Sequence, residues 1–175
     1  MKKLHDLPIR IKIALLLGIP VLGLLGFGGQ AIMSALTEAR TQEQRAHDLE
    51  GLIKLSTKTG ALVHSLQKER GLTAGFLGSG GTKFGSALTS QRDTSDSRIK
   101  ELRAFLEGFD ADRYDRQVAR DLNAVRSQLQ ELAATRRGVS RQQTAAAKAI
   151  GWYTELNGHL LDVVGTAIKQ TETGD

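Results

Sequence analysis

The sequence predicts an all-α protein: an N-terminal transmembrane helix followed by an antiparallel four-helix bundle. Three observations predict it. Ile13 to Thr37 carries no charged residue, and a helix needs roughly 20 predominantly apolar residues to cross a hydrocarbon core. Beyond that stretch, apolar residues recur at steps of three and four, the spacing that lines one face of a helix. No segment alternates apolar and polar residues with the period of a half-buried strand.

Composition narrows the function classes. The 175 residues suffice for one domain, and 40% hydrophobic with 25% charged residues fits a folded chain. Cysteine is absent, which excludes disulfides, thiolate metal sites and thiol nucleophiles. The net charge is +5. Lys2, Lys3, Arg10 and Lys12 crowd the front of the chain, whereas later cations are mixed with Asp and Glu. No long basic run marks a nucleic-acid footprint, so nucleic acid is not an expected partner.

The expected domains are a basic N-terminus over residues 1–12, a transmembrane helix over 13–37 and a helical sensory bundle over 38–175. Pro20 and the glycines within the span do not forbid a membrane helix. Cations before the span place the N-terminus in the cytoplasm by the positive-inside rule. The expected location is therefore the inner membrane, crossed once in contact with lipid, with the main domain periplasmic. A cleaved signal peptide is the competing possibility, but its apolar region is typically about 7–15 residues, and no A-x-A site follows here.

Four helices are expected in the remainder. The first continues from the membrane to about Leu77, where GSGG at Gly78–Gly81 breaks the pattern. The second spans about Phe84 to Glu107 and stops at Gly108. The third starts near Asp110 or Asp112, either of which can cap it, and ends near Gly138. The fourth starts at Ser140, with Ser140 and Gln143 spaced as a capping box. The apolar stripes run through Val63, Leu66, Arg70, Thr73 and Leu77; Ile99, Leu102, Leu106 and Phe109; Val118 to Val139; and Ile150, Tyr153, Asn157, Leu160, Val164 and Ala167. Four such stripes with short loops pack as a bundle.

Arg70, Arg136 and Asn157 fall on these stripes where apolar residues are expected. A buried guanidinium must be paired or reach water. One possibility is that each Arg snorkels to the surface or pairs with Glu69, Glu131 or Glu155, while Asn157 fixes helix register. The other is that Arg70 and Arg136, on different helices, leave a positive gap that suits a small oxyanion. A guanidinium offers paired N–H donors to two oxygens. Thr73, one turn from Arg70, can donate a further hydrogen bond, and Gly71 and Gly75 leave room.

The run LQKERGLTAGFLGSGG at Leu66–Gly81 resembles the opening motif of the nitrate- and nitrite-sensing (NIT) domain family. The resemblance continues through QRDTSD at Gln91–Asp96 and TRRGVS at Thr135–Ser140. It closes with AIGWYTELNGHLLDVV at Ala149–Val164. It implies an all-helical domain of a bacterial receptor, such as a methyl-accepting chemotaxis protein, a histidine kinase or a transcription antiterminator. It also implies an inorganic anion, nitrate or nitrite, held by arginines on the bundle helices. The QKERG arginine corresponds to Arg70, and the arginine of the third helix to Arg136, with its neighbour Arg137 as the alternative. Thr73 and Asn157 complete the expected ligand-binding set. Members of the family usually carry a second bundle, and receptors of this type a second transmembrane helix and an output module. The sequence given ends at TETGD without them.

The expected function is a membrane-anchored anion sensor, a homodimer of chemotaxis-receptor type, that passes its signal along the first helix. The alternatives are a structural or dimerisation bundle that senses nothing, or a sensor of another small anion. Catalysis is not expected. His5, His47, His64 and His159 form no H-E-x-x-H pair, there is no G-x-S-x-G elbow, and GSGGTK lacks Walker A spacing. No cofactor or metal is expected.

Overall fold

The computed structural model describes the backbone of residues 9–173 and the side chains of Met33 and residues 37–170. Among the described residues there are four α-helices, one short 3-10 turn and no strand. They are α1 (Ile9–Gly78), α2 (Gly85–Leu106), the turn Ala111–Arg113, α3 (Arg116–Ser140) and α4 (Ala146–Thr173). The chain divides into two compact units, Met1–Ala46 and His47–Asp175.

In the first unit the described side chains, Met33 and residues 37–46, are exposed. Thr37 and Thr41 return their hydroxyls to the carbonyls of Met33 and Thr37, at 2.8 and 2.9 Å. The expected transmembrane span over 13–37 falls mostly on side chains outside the described residues. Among the described residues, no helix is long and apolar enough to cross a membrane. The all-α part of the expectation holds among the described residues.

The second unit is the helical bundle. Along α1 a buried stripe runs through Leu52, Leu55, Thr59, Leu62, Leu66, Glu69 and Thr73, a strict alternation of three and four, with Val63 and Ser65 buried at its flanks. This stripe is rotated from the expected one: Glu69 takes the inward position assigned to Arg70, which is half-buried. Facing it are Ile99 and Leu102 of α2, then Val118, Leu122, Val125, Leu129 and Leu132 of α3. Tyr153, Leu156, Leu160, Val163 and Ala167 of α4 complete the core. In α4 it is Val163, not Val164, that is fully buried. Each fully buried Leu or Val contributes about 1.5–3 kcal/mol, so the stripes dominate the bundle's stability. The antiparallel course of α3 and α4 is fixed by three polar ties whose numbering runs in opposite senses. They join Asp115 to Gln170 at 3.0 Å, Asp121 to Thr166 at 2.7 Å and Gln128 to Trp152 at 3.4 Å.

The helix ends differ from expectation in three places. α3 is capped by Asp115, whose carboxylate accepts from Gln117 N at 2.7 Å; Asp110 and Asp112 belong to the region of the 3-10 turn. α3 does not stop at Gly138 but continues through Ser140. α4 begins at Ala146, so Ser140 and Gln143 form no capping box.

The α3 terminus is a Schellman motif, with Gln143 N donating to Gly138 O at 2.9 Å and Gln142 N to Val139 O at 2.9 Å. It places Gln142 in the left-handed region, φ 55°. The α1 terminus is the same motif. Gly81 N donates to Phe76 O at 2.9 Å and Gly80 N to Leu77 O at 3.1 Å, with φ 61° at Gly80 and 77° at Gly81. Glycine adopts that conformation without steric cost. The two caps meet: the Gln142 amide lies where a Cβ on Gly81 would stand.

Candidate functional site

The polar centre of the bundle is built on Glu69. Its side chain has 0% exposure, because the α1 heptad carries it inward. Arg136 of α3 meets it as a fork: Nε donates to Oε1 at 2.7 Å and Nη2 to Oε2 at 2.8 Å. The Tyr153 hydroxyl of α4 donates to Oε1 at 2.7 Å. Arg136 Nη1 donates to Asp96 Oδ1 of α2 at 2.6 Å. Arg92, also on α2, brings Nε to 3.8 Å from Glu69 Oε1 and donates through Nη1 to Ser140 Oγ at 2.8 Å. All four helices are therefore joined through one carboxylate.

Electrostatics agree with the geometry. Burial opposes ionisation of Glu69, but the Arg136 hydrogen bonds and charge, with the Tyr153 hydroxyl, outweigh it and hold its pKa below the usual carboxylate value. Burial likewise works against the Arg136 cation, and Glu69 and Asp96 overcome it, raising that pKa. Burial and then the Glu69 charge raise the pKa of Tyr153. A forked, desolvated pair whose cation also bonds a second carboxylate is a favourable form of a buried ion pair, although Arg92 Nε beside it is buried without a hydrogen-bond partner.

One residue further along α1 the chemistry changes. Arg70 is half-buried and donates through Nη1 to Thr154 Oγ1 of α4 at 3.0 Å. No carboxylate lies within ion-pair distance of it among the described residues. Two α1–α4 rungs thus sit on consecutive residues: Glu69–Tyr153 inside and Arg70–Thr154 outside. Beside the outer rung a Cβ at Gly71, Gly151 or Gly158 would meet nothing within 4 Å, so the surface there is open. Trp152, which precedes both α4 rung residues in sequence, packs edge-on against Tyr153 with ring centroids 5.2 Å apart.

The structure separates the five residues expected to bind a ligand. Arg136 is committed to Glu69 and Asp96, and Arg70 to Thr154 alone. Thr73 is fully buried on the inner stripe, with no partner for its hydroxyl. Asn157 is buried; its Nδ2 donates to Tyr153 O at 2.8 Å, and its Oδ1 has no partner. Arg137 is exposed on α3. Glu69, Arg92 and Asp96 carry the inner network, and Thr154 the outer rung. The signal for Glu69 was present: the heptad counted from Leu52 puts an acid on a buried position. Among the described residues no group of His, Cys, Asp and Glu could hold a metal ion.

Comparison with known proteins gives three findings. The model of a family described as nitrate and nitrite sensing matches residues 61–175. A nitrate regulatory protein of Klebsiella oxytoca is 30% identical over 125 residues, covering 71% of this chain and 31% of that protein. The solved structure of the NasR transcription antiterminator superposes with a TM-score of 0.70 at 28% identity, covering 81% of this chain and 38% of that one. The chain thus spans about a third of the length of each relative.

These findings correct the expected inner-membrane location. No helix among the described residues is long and apolar enough to cross a membrane, and the relatives are described as a nitrate regulatory protein and a transcription antiterminator. A chemotaxis-receptor role has no support either. The expected absence of a nucleic-acid partner stands beside a relative described as a transcription antiterminator.

Proposed function

Because this chain belongs to the nitrate and nitrite sensing family, we propose that its bundle binds nitrate or nitrite at the Arg70 guanidinium, as a sensing module without catalysis. The observation that carries this is the contrast between two arginines. Arg136 is saturated by two carboxylates, whereas Arg70 is half-exposed with a neutral hydroxyl as its partner. A planar oxyanion accepts paired N–H groups from a guanidinium, and the open surface at Gly71 and Gly151 gives it access. The description of one relative as a nitrate regulatory protein supports the choice of anion.

The bound anion would bear on the α1–α4 seam, because Arg70 and Glu69 occupy the same turn of α1. Such a ligand shifts a helix arrangement only by the difference in its affinity for two arrangements. The inner network, anchored at four helices, supplies the stiff frame against which the outer rung can change.

Calorimetric titration of the full chain with nitrate, nitrite and chloride tests the assignment. Saturable heat with nitrate or nitrite, absent with chloride and lost in Arg70→Ala, is the expected result. Heat that survives Arg70→Ala overturns the site. No heat from the folded chain supports a purely structural bundle.

A further inference from the structure

We infer that Thr154 is a positioning residue for the anion site, holding one corner of the Arg70 guanidinium so that its free edge is presented to the ligand; the inference rests on the assignment of Arg70 above. A threonine hydroxyl has one hydrogen to donate and two lone pairs to accept with. Thr154 spends its hydrogen on the helix, donating to Ile150 O at 2.8 Å. What remains toward Arg70 is a lone pair, which accepts from Nη1 at 3.0 Å. Thr154 can therefore not donate to an anion without breaking its bond to Ile150, and it acts through Arg70.

That tie leaves Nε and Nη2, the pair of N–H groups that point side by side and meet two oxygens at once, without a partner among the described residues. Arginine is rich in rotamers, and ordering such a side chain on binding costs affinity. Thr154 is a β-branched residue on a helix, stiff at χ1, and locked further by its bond to Ile150. It removes part of that cost before the anion arrives. Gly151 and Gly158, one turn to either side of Thr154, place no side chain near the presented edge.

The test compares nitrate titrations of the full chain in the wild type, Thr154→Val, Thr154→Ser and Arg70→Ala. Val keeps the shape and removes the oxygen; Ser keeps the oxygen. Thr154→Val is expected to raise the nitrate Kd about fivefold with the melting temperature unchanged, and Thr154→Ser to restore it to within about twofold. Wild-type affinity in Thr154→Val overturns the inference, and so does a Thr154→Ser variant as weak as Thr154→Val. If the wild type binds and Arg70→Ala does not, while Thr154→Val binds normally, the Arg70 assignment survives and the positioning role alone falls. No nitrate binding by the wild type overturns both.

Discussion

Glu69 and Arg136 meet across the bundle by two parallel hydrogen bonds of 2.7 and 2.8 Å, with the carboxylate wholly out of solvent. Removing the cation strands a buried charge. Arg136→Met is therefore expected to cost about 3–5 kcal/mol in urea unfolding. Replacing both partners, as Glu69→Leu with Arg136→Met, is expected to cost less than Arg136→Met alone, since no charge is then left unpaired. Equal losses would show that packing, not charge, sets the cost.

Tyr153→Phe deletes one hydrogen bond to the same carboxylate and is expected to cost about 1.5–3 kcal/mol. Arg70→Ala touches only the outer rung and is expected to change stability by no more than about 0.5 kcal/mol. Chemical denaturation of both variants checks the division of labour between neighbouring rungs. A large loss in Arg70→Ala would make that residue a structural one.

Acid should act through Glu69. Its folded-state pKa lies below the unfolded value of about 4.5, so its contribution is complete above that value. The contribution is lost as pH falls from there through the folded pKa. In Glu69→Gln the decline of stability below pH ~4.5 is expected to be shallower. Thermal melts across that range read the difference; parallel curves would assign acid sensitivity to other carboxylates.

Gly81→Ala is expected to cost about 2 kcal/mol, more than Gly80→Ala at about 1 kcal/mol. Both positions have positive φ, but a Cβ at Gly81 also runs into the Gln142 amide, whereas Gly80 faces open space. Gln142→Ala in the Gly81→Ala background should recover part of the excess. No recovery would place the whole cost in the backbone.

Helix number and most of the core were legible because a buried stripe is written directly into residue spacing. Every expected apolar position of α3 from Val118 to Val139 is buried. On α1 the stripe was displaced because it was counted from Val63, which is buried at 6% exposure but lies off the heptad beginning at Leu52. That displacement put Arg70 inside and hid Glu69. The α3–α4 connection was misplaced because Gln142 adopts a left-handed conformation usually reserved for glycine, so composition pointed to Gly138. The two-rung arrangement was not legible, since it depends on which α4 residues face α1. That pairing is set by tertiary packing and not by local sequence.

The chain contains one tryptophan, and it lies edge-on to Tyr153, with its indole N–H 3.4 Å from Glu131. Its sequence neighbours Tyr153 and Thr154 each terminate a rung. The protein thus carries its own optical gauge. Rupture of the inner rung, at Tyr153, is therefore expected to register as a change in indole emission in the unlabelled, unaltered chain, and Trp152→Phe provides the dark control.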